Sequence, residues 1–354
     1  MEGESPNLPY EIIFNILSRL SVKLLCRFKS VSNPWLSLIT NPHFVKAHLN
    51  QSTKDNDTST QKLILTSRTS PSVYSLDHKA PAPGQTLAEL EMPSQSRAEI
   101  LGSYNGIVLL RLGAELCLSN PTIRMYKKFS PPDYPDGIVI YGLGYNLVVD
   151  DFVVVRAIRP LVDAPYVVHV FSSKPGSWKR IGDFGYEIYH DGPGATLNGA
   201  PHWVVSRGTD SSFLASEVIV WFDAFEEKFR EVPRPTDEGH DRLIELRVLG
   251  GWLCVVQKDQ QYESLAHVWV MTEYRVKESW TKQLSVPYGL GEFCMPLCYE
   301  KVGDVVMVVN SEMLRIFNMK KLMFNEIVIP HRCKFDATLF VESLVSPHGG
   351  RGTS

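Results

Sequence analysis

The segment Gly251-Trp-Leu-Cys-Val-Val256 is one of five short apolar runs, each opened by Gly or Asp, that recur along most of the chain. Successive runs begin 45, 48, 52 and 52 residues apart. The other four are Gly106-Ile-Val-Leu-Leu110, Asp151-Phe-Val-Val-Val155, Gly199-Ala-Pro-His-Trp-Val-Val205 and Gly303-Asp-Val-Val-Met-Val-Val309. A second apolar run follows each of them, and then an aromatic residue: Phe129, Trp178, Phe229, Trp280 or Phe324. This period of about fifty residues predicts a β-propeller rather than a sandwich.

Strand patterns also occur at both ends of this region. Residues 63–66 and 73–76 precede the five units, and residues 339–345 follow them. Because one unit cannot bury both of its faces alone, we expect the two ends to close a further blade together. The sequence therefore predicts an all-β, propeller-like domain of about six blades over residues 62–345, followed by a Gly-rich flexible tail over residues 346–354.

Residues 7–49 have a helical pattern. Large apolar side chains recur at three- and four-residue spacing from Leu8 to Leu20, while Ser21 and Ser32 are suited to cap a second and a third helix. We therefore predict a small all-α domain of three helices over residues 5–49. So short a segment cannot bury this many apolar side chains by itself. Either the helices pack on the rest of the chain, or a partner protein completes their surface.

The connection between the two regions is polar. Residues 50–61 contain no apolar side chain, which predicts a flexible linker that transmits little between the helices and the β domain.

Composition and motifs exclude several classes of function. Lys and Arg total 36 against 39 Asp and Glu, a net charge of −3, so the basic surface typical of nucleic-acid binding is not expected. No apolar run reaches the length of about 18 residues that spans a bilayer, and the N-terminus lacks a signal-peptide pattern. Cysteine and histidine spacings do not match a metal site, and no catalytic motif of a hydrolase or nucleotide-binding enzyme is present. We therefore predict no catalytic, cofactor-binding or metal-binding residues, no nucleic-acid or membrane partner, and a cytoplasmic or nuclear location.

Two sets of motifs carry a resemblance to known families. Three segments resemble an F-box: Asn7-Leu-Pro-Tyr-Glu-Ile-Ile-Phe-Asn-Ile-Leu-Ser-Arg-Leu20, the segment from Val22 to Ile39, and Asn41-Pro-His-Phe44. Later segments are similar to the F-box-associated (FBA) interaction domain of plants: Gly102-Ser-Tyr-Asn-Gly106, Leu118-Ser-Asn-Pro-Thr-Ile-Arg124, Leu197-Asn-Gly-Ala-Pro-His-Trp203, Val268-Trp-Val-Met-Thr-Glu-Tyr-Arg-Val-Lys-Glu-Ser-Trp280 and Val341-Glu-Ser-Leu344.

The resemblance implies a non-catalytic receptor subunit. Its helices would bind a Skp-family adaptor of a cullin–RING (SCF-type) ubiquitin ligase, and its β domain would select the protein to be ubiquitinated and degraded. Carried over by position, the adaptor interface or the helical core behind it would consist of Leu8, Pro9, Ile12, Ile16, Leu17, Leu20, Val22, Leu25, Phe28, Val31 and Trp35. The sequence does not divide these residues between the two roles. Three alternatives stay open: an F-box scaffold outside any ligase, a pollen S-locus receptor for S-RNases, and a propeller enzyme such as a glycosidase.

Two predicted inter-strand connections, residues 206–213 and 257–264, are unusually long and polar. Loops on a rigid scaffold concentrate binding residues, and aromatic and Arg side chains dominate binding energies. We therefore predict Arg207, Phe213 and Tyr262 as contacts for an unidentified target protein.

Overall fold

The computed structural model describes residues 8–349, except for residues 55–59, 78–86, 134–135, 162–165, 183, 190–191, 208–216, 237–241, 260–261, 263, 290–291, 301–303, 322 and 328–333. The described part contains a helical module at the N-terminal end, followed by the six blades of a β-propeller, of which the fourth and fifth are joined into one eight-stranded sheet.

The helical module has four α-helices rather than the three that the sequence predicted: α1 (Tyr10–Leu17), α2 (Val22–Phe28), α3 (Asn33–Thr40) and α4 (Pro42–Lys54). The additional boundary lies at Asn41, whose extended backbone ends α3 and whose Oδ1 accepts a hydrogen bond from His43 N at 2.8 Å. Pro42 disfavours a helical conformation at the preceding residue and suits the first turn of the next helix. Helix α4 continues to Lys54, into the range that the sequence assigned to the linker.

Five blades follow one another along the chain. The first contains β4 (Ala98–Tyr104), β5 (Ile107–Leu112), β6 (Glu115–Asn120) and β7 (Met125–Phe129); the second contains β8 (Gly137–Asn146), β9 (Asp151–Pro160), β10 (Val167–Ser172) and β11 (Ser177–Ile181), with β12 (Gly192–Pro193) parallel to β8. The third contains β13 (Ala195–Leu197), β14 (Ala200–Ser206), β15 (Glu217–Asp223) and β16 (Lys228–Val232). The fourth contains β17 (Leu243–Leu249), β18 (Trp252–Lys258), β19 (Leu265–Met271) and β20 (Trp280–Gly289); the fifth contains β21 (Glu292–Tyr299), β22 (Val305–Val309), β23 (Met313–Asn318) and β24 (Met323–Ile327).

The sixth blade, here called the closing blade, joins the two ends of the β region. It combines β1 (Gln61–Ser67), β2 (Val73–Leu76) and β3 (Ala88–Glu89) with β25 (Phe335–Val341). β25 pairs with β1 from Gln61↔Val341 to Ser67↔Phe335 and contacts β4 of the first blade and β21 of the fifth. The prediction of six blades with a blade shared by both ends is confirmed.

The strand order divides the turns between two faces of the propeller. In each blade, the turns after the first and third strands lie at one end, and the turn after the second strand lies at the other. The helical module contacts the first of these ends, because Lys46 of α4 forms an ion pair with Asp150 in the β8–β9 turn, with Nζ to Oδ1 at 2.7 Å. We call this end the helix-side face and the opposite end the far face.

A buried histidine joins the third and fourth blades. The Nδ1 atom of His202 lies 2.8 Å from the carbonyl oxygen of Ala200, and its Nε2 atom lies 2.7 Å from the hydroxyl of Tyr274. Since a carbonyl can only accept, Nδ1 carries the proton and Nε2 accepts from the Tyr274 hydroxyl. The ring is fully buried, and this burial lowers the pKa of His202 to about 4.

This geometry predicts a specific pH dependence of stability. Below about pH 6.5 the unfolded chain binds a proton at His202 that the folded chain does not, so the free energy of unfolding falls as the pH decreases toward the folded pKa. Between pH 7 and pH 5 the contribution of His202 to this fall is about 2 kcal/mol. We expect His202→Gln to remove that contribution in urea-unfolding measurements. His48 and His169, whose pKa values burial also lowers, remain in both proteins and cancel in the comparison.

Candidate protein-docking surfaces

The predicted adaptor residues fall into a buried set and an exposed set. Leu17, Val22 and Leu25 are buried in the helical core, where they pack with Leu38, Ile39 and Phe44. Each is thus a core residue of the module, and none offers its side chain to a partner. Leu20, Phe28 and Trp35 are partly buried against this core, and the rings of Phe28 and Trp35 meet edge-to-face with centroids 5.2 Å apart.

The exposed set comprises Leu8, Pro9, Ile12, Ile16 and Val31. Ile12 and Ile16 are 45% and 50% exposed and lie one turn apart on α1, so they share a face of that helix. Sequence reasoning missed three further exposed apolar residues of the module: Tyr10, Leu24 and Leu36. The sequence could have indicated their exposure, because these apolar side chains lie outside the stripe by which each helix packs on its neighbours.

The helices hold an unusual share of the exposed apolar surface. Among the described residues, seven of the sixteen large hydrophobic side chains that are exposed lie between residues 8 and 36: Leu8, Tyr10, Ile12, Ile16, Leu24, Val31 and Leu36. A concentration of exposed large apolar side chains is typical of protein-binding surfaces. Of the two alternatives that the sequence left open, the first applies, because the module packs on the propeller through Ile123 and Leu344. Completion of its exposed surface by a partner protein stays a prediction.

The helical module contacts the propeller directly, whereas the sequence predicted that only a polar linker joins the two and that it transmits little between them. Leu344, which follows β25, is buried within the helical core, and Ile123 of the β6–β7 turn packs against the same core. The Lys46–Asp150 ion pair adds a polar contact, and the Tyr145 hydroxyl also donates a hydrogen bond to Asp150. The polar linker is therefore one of several connections between the two parts.

Two of the three predicted target residues lie on the far face. Arg207 follows β14 and Tyr262 lies between β18 and β19, so both occupy turns after second strands, in adjacent blades. The guanidinium of Arg207 binds the carboxylate of Glu231 through two nitrogens, with Nε to Oε1 at 2.9 Å, and this hydrogen-bonded pair raises the pKa of Arg207 and lowers that of Glu231. Phe213 lies outside the described residues.

Tyr262 is held by its own loop. Its backbone N–H donates to Asp259 Oδ1 at 2.7 Å, and its carbonyl accepts from Leu265 N at 2.9 Å. The other carboxylate oxygen of Asp259 lies 2.7 Å from His267 Nε2. The backbone of Tyr262 is therefore held at both its N–H and its carbonyl, while its side chain is 59% exposed.

Within the described residues, no group of three or more His, Cys, Asp or Glu side chains is arranged to hold a metal ion. None of the described helices is both long enough and apolar enough to span a membrane.

A helical module with exposed apolar side chains thus packs on one face of a six-bladed propeller, and Arg207 and Tyr262 lie at the opposite face. Comparison with known families gives the same architecture. The model of the F-box domain matches residues 5–47, and that of the F-box associated beta propeller domain matches residues 52–327. The chain belongs to this family of F-box proteins with an associated β-propeller.

Curated relatives share this organisation over almost their full length. F-box protein CPR1 of Arabidopsis thaliana is 32% identical, with 96% of this chain and 88% of that protein aligned. F-box/kelch-repeat protein At3g23880 is 29% identical over 97% of this chain and 96% of its own length, and F-box protein At4g22390 is 28% identical over 95% and 90%; both are from the same plant. The resemblance to plant F-box proteins with an FBA domain is confirmed.

Proposed function

We propose that this chain is the substrate-recognition subunit of an SCF-type ubiquitin ligase. The exposed apolar surface of α1–α3 binds a Skp-family adaptor and, through it, the cullin–RING core. The far face of the propeller binds the protein that is to be ubiquitinated. Within this proposal the chain positions two proteins, performs no chemistry itself, and acts in the cytoplasm or nucleus.

The observation that carries this proposal is the opposite placement of the two surfaces. The helical module packs on the helix-side face through Lys46, Ile123 and Leu344, whereas the loops that carry Arg207 and Tyr262 leave the far face. A partner bound to the helices therefore does not cover these loops. Simultaneous binding of two proteins is what a receptor subunit requires.

Reconstitution tests the adaptor half of the proposal. The full chain is mixed with a purified plant Skp-family adaptor and a cullin–RING core, and the mixture is analysed by size-exclusion chromatography with light scattering. A stoichiometric complex that ubiquitinates lysines of this chain supports the receptor. A complex with the adaptor alone, which excludes the cullin, would instead support a scaffold that acts outside a ligase.

The target half is tested by changing Arg207, Phe213 and Tyr262 together to Ala. If these side chains are hot spots, capture of proteins that accumulate on the chain when proteasomes are blocked should fall by about 100-fold or more, because each hot spot contributes on the order of 2 kcal/mol. Quantitative mass spectrometry measures the capture, and adaptor binding should be unchanged.

A matched control has the same composition at exposed positions elsewhere: Arg124, Tyr126 and Phe225 are changed together to Ala. This variant should retain full capture. Equal capture by both triple variants would show that the far-face loops do not bind the target.

A further inference from the structure

The geometry points to a positioning role for residues 342–349, which we call the C-terminal strap. The strap fixes the orientation of the helical module, and hence of its adaptor surface, relative to the far face of the propeller. The structural part of this inference stands on its own; its consequence for ubiquitin transfer rests on the proposed function.

The central anchor of the strap is Ser343, which is fully buried. The side-chain amide of Asn120 donates to Ser343 O at 3.0 Å, to Ser343 Oγ at 3.2 Å and to Val345 O at 2.8 Å. The Ser343 hydroxyl donates in turn to the carbonyl oxygen of Asn105 at 3.0 Å. One serine thus connects the strap to the β4–β5 turn and to the end of β6 in the first blade.

Ser343 packs so closely against Gly106 that only glycine fits at position 106. Gly106 has a φ of +80°, and a Cβ built on it would lie 2.1 Å from Ser343 Oγ and 2.7 Å from Val341 O. A side chain at this position would therefore overlap the strap as well as strain the backbone. Three of the motifs that carry the family resemblance, those containing Gly106, Asn120 and Ser343, meet at this one junction.

The strap is also attached on both sides of Ser343. Glu342 forms an ion pair with Lys62 of β1, at 2.6 Å, and its backbone N–H donates to Thr60 O at 2.7 Å. At the other end, the hydroxyl of Ser173 in the second blade donates to Pro347 O at 2.7 Å in a buried hydrogen bond. Part of the segment that the sequence assigned to a flexible tail thus contacts the second blade at Pro347, and the strap is held by three consecutive blades.

Between these attachments the strap enters the helical module. Leu344 is only 5% exposed and belongs to the helical core together with Leu17, Leu25 and Phe44. Because Ser343 is fixed to the propeller and its neighbour is buried in the helices, rotation of the module requires that one of these contacts break. The Lys46–Asp150 ion pair gives a second point of attachment and so opposes rotation about the strap.

A fixed orientation has a direct consequence for a receptor subunit. Transfer of ubiquitin requires that a lysine of the bound target lie within reach of the enzyme that carries the ubiquitin. Positioning of reacting groups is a large part of any rate enhancement. A rigid chain presents a restricted set of lysines. Asn120, Ser343 and Leu344 are then positioning residues, because they act through the placement of both docking surfaces.

The test measures the distance between the two parts in the full chain. Spin labels are attached at Ser37→Cys on α3 and Glu326→Cys on β24, both exposed, with Cys26 and Cys333 replaced by Ser. Double electron–electron resonance should give one narrow distance distribution for this parent protein. Asn120→Ala should broaden it, with loss of the single distance, because the carbonyls of Ser343 and Val345 lose their donor.

Asn318→Ala is a matched control, because Asn318 also ends the third strand of its blade. Its Nδ2 donates to Asp304 Oδ2 at 2.9 Å and its Oδ1 accepts from Lys321 N at 2.7 Å, entirely within the fifth blade. This variant should keep the parent distribution. An unchanged distribution in Asn120→Ala, or the same broadening in Asn318→Ala, would overturn the inference.

Leu344→Ala provides a second route if Asn120→Ala does not fold, as judged by circular dichroism and a cooperative melt. It removes the contact with the helices and leaves the hydrogen bonds of Asn120 in place, and it should also broaden the distribution. A folded Leu344→Ala protein with the parent distribution would overturn the inference.

A second readout separates this inference from the proposed function. In the reconstituted ligase, loosening of the strap should increase the number of self-ubiquitinated lysines seen by mass spectrometry, while adaptor affinity stays the same. If no adaptor binds, the proposed function fails although the distance measurement still decides the role of the strap. Suppose that a variant shows a broadened distance distribution but the same set of ubiquitinated lysines as the parent protein. This result would refute the consequence for ubiquitin transfer.

Discussion

Ile16→Asp is expected to weaken the binding of a Skp-family adaptor strongly while the chain stays folded. The side chain is 50% exposed in the free chain, so the carboxylate remains hydrated until an adaptor covers it. Binding then loses the apolar contact and must also desolvate an unpaired charge, which costs several kcal/mol. Affinity measured by isothermal titration calorimetry should fall by about 100-fold or more.

Two comparison variants make this experiment decisive. Leu147→Asp places the same charge at an apolar side chain that is 75% exposed on the propeller, and it should leave adaptor affinity unchanged. Leu25→Asp should instead unfold the helical module, because Leu25 is completely buried in its core. Normal adaptor binding by Ile16→Asp would remove α1 from the proposed interface.

The contrast between Ile16 and Leu25 shows what the helical pattern could not reveal. Both residues belong to apolar stripes at helical spacing, and a stripe that is wider than the buried face contains core and surface residues alike. The burial of Leu25 depends on Leu38, Ile39 and Phe44, which approach it from other helices. Sequence spacing therefore predicted the helices and their apolar character, while tertiary packing decided which side chains remain for a partner.

The blades were the most predictable part of the fold, because each repeats the same local pattern. Strand runs at a regular period indicate the number of blades, and unpaired runs at the two ends indicate a shared blade, as the pairing of β25 with β1 confirms. The boundary at Asn41 was missed, although the Asn41-Pro42 pair was a usable signal for a fourth helix.

The strap had no comparable periodic signal in the sequence, although Val341-Glu-Ser-Leu344 belongs to the motifs of the family resemblance. The Ser-Pro-His-Gly-Gly sequence from residue 346 to 350 is typical of a flexible tail, yet Pro347 is bonded to Ser173, which lies 174 residues earlier in the chain. Single hydrogen bonds over such separations leave no periodicity in a sequence. The same limit applies to Ile123 and Lys46, whose contacts join the module to the propeller.

Truncation from the C-terminal end should separate closure of the propeller from orientation of the module. A chain that ends at Gly349 retains every strap contact described above and should melt like the full chain. A chain that ends at Val341 keeps β25 but lacks Ser343 and Leu344, so its propeller should remain folded with a lower melting temperature. In this variant the helices should lose protection from hydrogen exchange, since their core lacks Leu344.

Removal of β25 itself should have the largest effect. A chain that ends at Lys334 loses the buried side chains of Phe335, Ala337 and Phe340, and the loss of one such Phe side chain already costs about 3–5 kcal/mol. The innermost edge of β1 would also be left unpaired, next to the exposed apolar faces of the neighbouring blades. The two Phe side chains alone account for about 6–10 kcal/mol, which is comparable to the stability of about 5–15 kcal/mol that is typical of a folded domain, so calorimetry should show no cooperative unfolding transition of the propeller. A transition close to that of the Val341 truncation would show that the propeller does not depend on closure by β25.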